Sequence, residues 1–308
     1  MRKIFVLVIF SFSFMLVSAQ QVPQFSQNMF NKLANNPGFS GSRGVISTSV
    51  LHRSQWLGFG TDGGAGASTQ NFSVDAELPF LYGGVGLNIV TDNIAQYSNL
   101  GLQASYAYRT ELGIGQIGMG MSVGMFQSGT SGGFNPAVDG DPAIPTGDVK
   151  GSALDLGAGI YYNTSDVYIG ISSAHLTEPT IEWTNGAQVT EMDLERHYFL
   201  IAGYTHDLNT LLLLHPSIYL KSDGATSQLD INTSLIYNNK MWGGVSYRID
   251  EGISLLAGMN INEDLRFGLA YDVTMLNELT NSFEIMLGYN FKINYDKPVS
   301  KYKNPRFL

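Results

Sequence analysis

From residue 44 onward, apolar and polar residues alternate in stretches of about ten, most of them ending in glycine, asparagine, aspartate or serine. Over 69–78, Phe72, Val74, Ala76 and Leu78 fall on one side, and Asn71, Ser73, Asp75 and Glu77 on the other. Over 116–126, Ile117, Met119, Met121, Val123 and Met125 oppose Gly118, Gly120, Ser122 and Gly124. The same rhythm sets Leu265, Phe267, Leu269, Tyr271 and Val273 against Arg266, Gly268, Ala270 and Asp272, and Phe283, Ile285, Leu287, Tyr289 and Phe291 against Glu284, Gly288, Asn290 and Lys292. A period of two places each set on one face of a β-sheet. Further strands are expected at 44–53, 83–91, 99–109, 151–163, 166–176, 194–207, 212–222, 227–238, 240–249 and 253–262, about fourteen in all, with twelve or sixteen as the neighbouring even counts.

Alternating strands build a soluble sandwich or a membrane barrel. Ordinary strands run to about five residues, and these run to about ten. Their apolar face is uniformly large, while small and charged residues collect opposite, as a wall with lipid outside and water inside requires. Connection lengths agree. The odd-numbered ones are mostly long (54–68, 92–98, 127–150, 177–193, 275–281), and the even ones short (79–82, 110–115, 164–165, 208–211, 239, 263). The short odd connections 223–226 and 250–252 depart from this pattern. Long surface loops and short periplasmic turns mark outer-membrane barrels. The expected fold is therefore all-β, an antiparallel transmembrane β-barrel over 44–292, standing in outer-membrane lipid of a Gram-negative bacterium.

The ends carry other signals. Arg2 and Lys3 precede an apolar and hydroxylated run over 4–17, followed by Ser18, Ala19 and Gln20. This is the pattern of a cleaved signal peptide, expected over 1–19, and the run is shorter than the roughly 20 residues of a spanning helix. Residues 20–43 are then an N-terminal periplasmic segment or plug, and 293–308 a periplasmic tail. The chain has no cysteine, so hydrogen bonding and burial alone must hold it, which a closed barrel can supply. It is 44% hydrophobic, only 14% charged, rich in glycine with 35 residues, and carries a net charge of −9. Nucleic acid is excluded as a partner, since phosphate binding needs a basic field.

Catalytic chemistry has little to stand on. His52, His175, His197, His206 and His215 are scattered, none in a metal-binding spacing, and no G-x-S-x-G is present. Asp139, Asp141 and Asp148 read as a solvated acidic loop rather than a calcium site, because their spacing misses the EF-hand pattern. No enzyme, cofactor or metal is expected. Charges on the polar faces, among them Asp75, Arg109, Asp155, Asp230, Arg248, Arg266, Asp272, Glu284 and Lys292, mix both signs and suggest a filled, ion-paired interior more than a selectivity lining. Phe25, Met29, Phe30 and Leu33 suit one side of a short amphipathic helix, and Asn36-Pro37 a turn that delivers the chain to the first strand. Arg53, Gln55 and Trp56 stand where that strand leaves the membrane, the depth of an aromatic belt. The predicted surface loops are acidic, with Asp62, Asp92, Asp223, Asp250 and Glu278 among them, whereas Lys297, Lys301, Lys303 and Arg306 make the tail basic and suited to an acidic face of a partner. The candidate partner-binding residues are thus Phe25, Gln27, Phe30, Asn36, Pro37, Arg53, Gln55, Trp56, Lys297, Lys301, Lys303 and Arg306.

Three ordered motifs carry a resemblance. Residues 23–31 read Pro-Gln-Phe-Ser-Gln-Asn-Met-Phe-Asn, 36–41 read Asn-Pro-Gly-Phe-Ser-Gly, and 53–59 read Arg-Ser-Gln-Trp-Leu-Gly-Phe. In this succession the chain resembles the PorP/SprF family of outer-membrane proteins, associated with type IX secretion and gliding motility in Bacteroidetes. Gly86-Leu87 with Thr91-Asp92-Asn93, and the closing Lys303-Asn304-Pro305-Arg306-Phe307, are similar to later family features. The glycine-rich stretch 60–68 departs from the family's usual continuation. The resemblance implies a component that binds periplasmic machinery proteins and assists secretion or surface attachment of particular substrates, such as a secreted surface protein with a sorting domain. A passive porin or hydrophobic-compound channel is the alternative on the same fold.

Overall fold

The computed structural model describes residues 22–59, 65–130, 148–185, 188–276 and 279–292. Its strands are β1 (Ile46–Leu57), β2 (Ala65–Leu78), β3 (Gly83–Ile94), β4 (Tyr97–Leu112), β5 (Gly115–Thr130), β6 (Val149–Asn163), β7 (Val167–Ala174), β8 (Thr180–Asn185), β9 (Gln188–Asp193), β10 (His197–Tyr204), β11 (His206–Asn209), β12 (Leu212–Ser222), β13 (Ser227–Tyr237), β14 (Met241–Arg248), β15 (Gly252–Asn260), β16 (Leu265–Thr274) and β17 (Ser282–Phe291). Each barrel strand pairs antiparallel with its neighbours, and β10 and β11 both pair with β12 as two halves of one strand broken at Thr205. The wall therefore has fourteen strands and closes where β1 meets β17, from Ile46 opposite Phe291 to Ser54 opposite Phe283. Closure leaves no unpaired edge, the condition for crossing a bilayer with strands.

The two-residue rhythm sorts the faces as expected. Outward side chains include Val50, Phe72, Met121, Val123, Leu154, Ile171, Leu255 and Leu287, all exposed. Inward ones include Ser49, Asn71, Ser73, Asp75, Asp155, Asp230, Arg248 and Glu284, all buried. Exposed aromatics ring both ends: Phe80, Tyr82, Tyr106, Tyr108, Tyr237, Tyr289 and Phe291 at the short-turn end, and Tyr97, Tyr198, Tyr247 and Tyr271 at the other. Such girdles sit at the two membrane–water interfaces. The short-turn end faces the periplasm and the other the cell surface.

Three expectations need correction. The connection expected at 92–98 shrinks to residues 95–96, because Thr91, Asp92 and Asn93 continue the alternation, with Ile94 opposite Tyr97. Asp92 is accordingly buried in the lumen, accepting a hydrogen bond from the Thr69 hydroxyl at 2.5 Å, not exposed in a loop. The stretch read as the loop 177–193 contains the β8–β9 hairpin, which folds against the inner face of β6 at the surface end, where Ile181 and Leu194 pack on Phe126. Lys292, read as lumenal, lies beyond the last strand and pairs at the rim with Glu263 at 2.5 Å and Asp264 at 3.4 Å.

Candidate functional site

The barrel is not empty. Residues 22–43 run down its interior from the surface half to the periplasmic mouth and touch most of the wall on the way. The one α-helix among the described residues, α1 (Lys32–Asn35), is far less than the amphipathic helix expected from Phe25, Met29, Phe30 and Leu33. Those side chains do not share a face. Phe25 packs on Leu51 and Met286, Met29 on Trp242, Leu256 and Ala270, and Leu33 joins Phe39, Tyr161 and Phe199. A segment enclosed by wall on every side can bury apolar residues in all directions, so turns replace helix.

Three carboxylates of the wall grip the upper part of the segment. Glu284 on β17 is fully buried and accepts the backbone N–H groups of Ser26 and Gln27, both at 2.9 Å. The Arg53 guanidinium on β1 binds Asp272 at 2.6 Å and Glu284 at 3.3 Å, and donates to the Ser26 hydroxyl at 2.6 Å. That hydroxyl in turn donates to Asp272 at 2.7 Å. Opposite, Asp230 on β13 accepts from the Asn28 and Gln24 amides, each at 3.1 Å, and is held by Arg248 at 3.0 Å. Mixed charges are thus satisfied pairwise, as a dry interior demands.

Lower down, shape takes over. The Asn36 side chain accepts the Gly38 N–H at 2.8 Å, capping a single 3₁₀ turn over Pro37–Phe39, and donates to the Ile160 carbonyl at 3.0 Å. This turn lies against glycines of the wall. A Cβ on Gly120 would come within 2.4 Å of Pro37, and one on Gly118 within 2.3 Å of the Gly38 carbonyl oxygen. Gly41, at φ +73, delivers its N–H to Asp75 at 3.1 Å. The glycines that alternate with methionine on β5 are therefore the seat of the plug.

At the periplasmic mouth the packing opens into a recess of about 560 Å³ between the turn residues Thr164, Ser165 and Asn239 and the aromatic side chains of Phe30, Tyr168 and Trp242. Three cations converge on it: Lys32, Arg43 and Arg266. The Lys32 ammonium stands 3.4 Å from the Tyr168 ring centre, and Arg266 lies 5.2 Å from that of Phe30, within cation–π range. Loss of hydration, with Arg43 and Arg266 nearby, pushes the Lys32 pKa down to about 7. A second cavity of about 420 Å³ adjoins, sharing Phe30, Arg43, Asn260 and Arg266.

Of the residues singled out in the sequence, Phe25, Gln27, Asn36, Pro37 and Arg53 come together in the lumen, engaged with the wall, and Phe30 reaches the mouth recess. Gln55 and Trp56 lie apart, lining a cavity of about 130 Å³ at the surface end with Arg53, Arg248 and Asp272. Trp56, near the end of β1, adopts φ +56 and packs beside Gly66 at the start of β2. Lys297, Lys301, Lys303 and Arg306 lie outside the described residues, as do Asp139 and Asp141. Lys32, Arg43 and Lys221 were not singled out. Lys221 follows Ser217 and Tyr219 in the inward phase of β12 and donates to the Val22 carbonyl at 3.0 Å, so its phase was the available signal. The histidines, scattered in sequence, are not all scattered in space: His175 and His197 meet with ring centres 5.7 Å apart, and Asp155 holds His175 at 3.0 Å.

A closed wall with aromatic girdles, an apolar exterior and a polar, ion-paired interior defines an outer-membrane β-barrel, here one threaded by its own N-terminal segment. The chain belongs to the family of type IX secretion system membrane proteins PorP/SprF, whose model matches residues 17–289. No curated protein matches it. Among solved structures it is similar to the toluene transporter TbuX of Ralstonia pickettii, with 14% identity, 83% of this chain and 92% of that one covered, and a TM-score of 0.49. Others are the toluene transporter TodX of Pseudomonas putida (13%, 84% and 92%, 0.45) and the outer membrane protein Omp33 of Acinetobacter baumannii (8%, 80% and 98%, 0.45).

Proposed function

We propose that this barrel works by binding and positioning rather than by conducting: that it is an outer-membrane component of the type IX secretion machinery, docking periplasmic machinery proteins and assisting the secretion or surface attachment of particular substrates. Family membership supports the setting. The observation that carries the reading is the occupied lumen. Residues 22–43 are tied to the wall by Glu284, Asp230, Asp75 and the β5 glycines, and the β8–β9 hairpin packs on the inner face of β6 at the surface end. What remains accessible is the recess below and the loops above. In this reading residues 20–43 are a resident plug whose lower face, with Phe30 and the periplasmic turns, meets the machinery, and the basic tail at 293–308 adds a second contact.

The test is photo-crosslinking in living cells from Ser165 and Asn239 at the periplasmic rim, with products identified by mass spectrometry, alongside planar-bilayer conductance of the purified protein. Recovery of periplasmic secretion components with little conductance is the expected result. A steady large pore with no specific crosslink would return the protein to the passive porins or hydrophobic-compound channels.

A further inference from the structure

Lys32, Arg43 and Arg266 crowd one recess in a protein whose net charge is −9. Arg43 reaches Asp75 at 3.4 Å, but among the described residues neither Lys32 nor Arg266 forms an ion pair. The Arg266 guanidinium has a single hydrogen bond, to the Asn260 side chain at 3.2 Å. The carboxylate that lines the larger cavity, Asp166, is exposed on the rim turn. Elsewhere in the lumen the wall supplies an acid for each buried arginine: Asp272 and Glu284 for Arg53, Asp230 for Arg248. Lys32 and Arg266, held beside Arg43 with no ion-pair partner of their own among the described residues, cost free energy unless a ligand brings the opposite sign.

The surroundings narrow that ligand. Phe30 and Trp242 pack with ring centres 4.6 Å apart and planes tilted by 44°, beside Met29 and Tyr168, which gives an apolar patch next to the cations. The Asn239 side chain and the Asn163 amide NH2 on the rim are groups of the kind that pair with peptide main chain, while Asn260 is taken up by Arg266 and the Asn239 carbonyl. The two cavities, about 560 and 420 Å³, share Phe30, Arg43, Asn260 and Arg266 in their linings and are the two lobes of a groove bordered by residues of the periplasmic turns. The smaller lobe is close to neutral, since Glu263 and Asp264 there are paired with Lys292. Positive charge is therefore concentrated in the larger lobe and at its junction with the smaller one, beside the aromatic patch.

We propose that this groove binds an acidic peptide segment of a periplasmic partner, its carboxylates set between Lys32, Arg43 and Arg266 and a neighbouring apolar side chain laid on Phe30 and Trp242. The inference rests on the docking role proposed above and names the chemistry of what docks. Asn260 orients Arg266, and Asp75 with the Phe30 carbonyl orients Arg43, so the guanidiniums are held ready for a carboxylate.

The experiment uses the purified full-length barrel in detergent, a fluorescein-labelled Glu-Phe-Glu peptide, its Gln-Phe-Gln counterpart and inorganic phosphate, read by anisotropy. The acidic peptide is expected to bind about tenfold tighter than the amide peptide, with Arg266→Gln and Lys32→Gln each weakening it by about tenfold. Retained anomalous mobility of unboiled samples on SDS gels certifies that each variant is folded, and two separate substitutions keep the test alive if one fails to fold. Equal binding of the two peptides, or acidic-peptide binding unchanged in a folded variant, overturns the proposal. Phosphate displacing the peptide at matched concentration overturns it as well, by showing a site for any small anion. Specific peptide binding without crosslinks to the machinery in cells would refute the wider docking role and leave the groove standing. Crosslinks without acidic-peptide preference would do the reverse.

Discussion

Glu284, with no exposed surface, has three partners in the chain: the Ser26 and Gln27 amides and the Arg53 guanidinium. Breaking a buried pair by removing one member costs roughly 3–5 kcal/mol, because the other charge is left without compensation. Glu284→Gln is thus expected to destabilise the folded barrel by about 3 kcal/mol, seen as a lower urea midpoint for loss of the unboiled gel band, and Arg53→Met combined with Glu284→Leu is expected to recover none of that loss, because it orphans Asp272 and the Ser26 and Gln27 N–H groups. Gly120 tests shape instead of charge. A methyl there would meet Pro37 at 2.4 Å, so Gly120→Ala is expected to cost about 1–3 kcal/mol and to make residues near Pro37 accessible to thiol labelling after cysteine substitution. Lys32 offers a pH signature. Its pKa in the folded protein, about 7, lies below the ordinary 10.5, so the unfolded chain holds the extra proton between those values. Stability should therefore rise as pH climbs from about 7 toward 10.5, and Lys32→Met should remove that slope from urea midpoints. The charged and titratable groups that face Lys32 are Arg43 and Arg266 beside it, Tyr161 and Tyr168 on β6 and β7, His215 on β12, and Asp166 on the rim.

At the scale of elements, the plug and the hairpin act on opposite ends of one lumen. Removing 22–43 leaves the β8–β9 hairpin as the one described segment still inside the wall, so the truncated barrel is expected to show a steady conductance in planar bilayers where the intact chain shows little; equal conductance would mean that the plug does not obstruct the lumen. The strands were legible from residue pattern because a wall between lipid and water imposes one rule at every position, and Phe72 or Met121 obeys it without reference to anything distant. The plug was legible only as a segment. Ser26 is fixed by acids about 250 positions later, and no local spacing announces such a contact. Glycines 118 and 120 stood out as a polar-phase run on β5, yet their reason, the approach of Pro37 and Gly38, lies in another part of the chain. The β8–β9 hairpin was hidden for a related cause. Its alternating residues Ile181, Trp183 and Met192 pack on Phe126 and Ala153 inside the lumen, so they follow neither the length nor the lipid-facing bias of a wall strand.

For the whole molecule, the geometry at the seam carries a consequence for how it is made. The strands that come last to each other are β1 and β17, joined over nine residue pairs from Ile46 to Ser54. Arg53 on one side and Glu284 on the other reach across that join, and both hold Ser26. A cylinder already zipped shut would offer this stretch of chain only an end-on route through a mouth, so it is expected to be in place before the first and last strands knit, and a chain lacking 22–43 is expected to close more slowly in refolding followed by the unboiled gel band. The N-terminal residues then serve as a mandrel: the sheet curls round them, and the final zipper and the filling of the bore become a single late event whose rate falls when either Ser26 or Glu284 is altered.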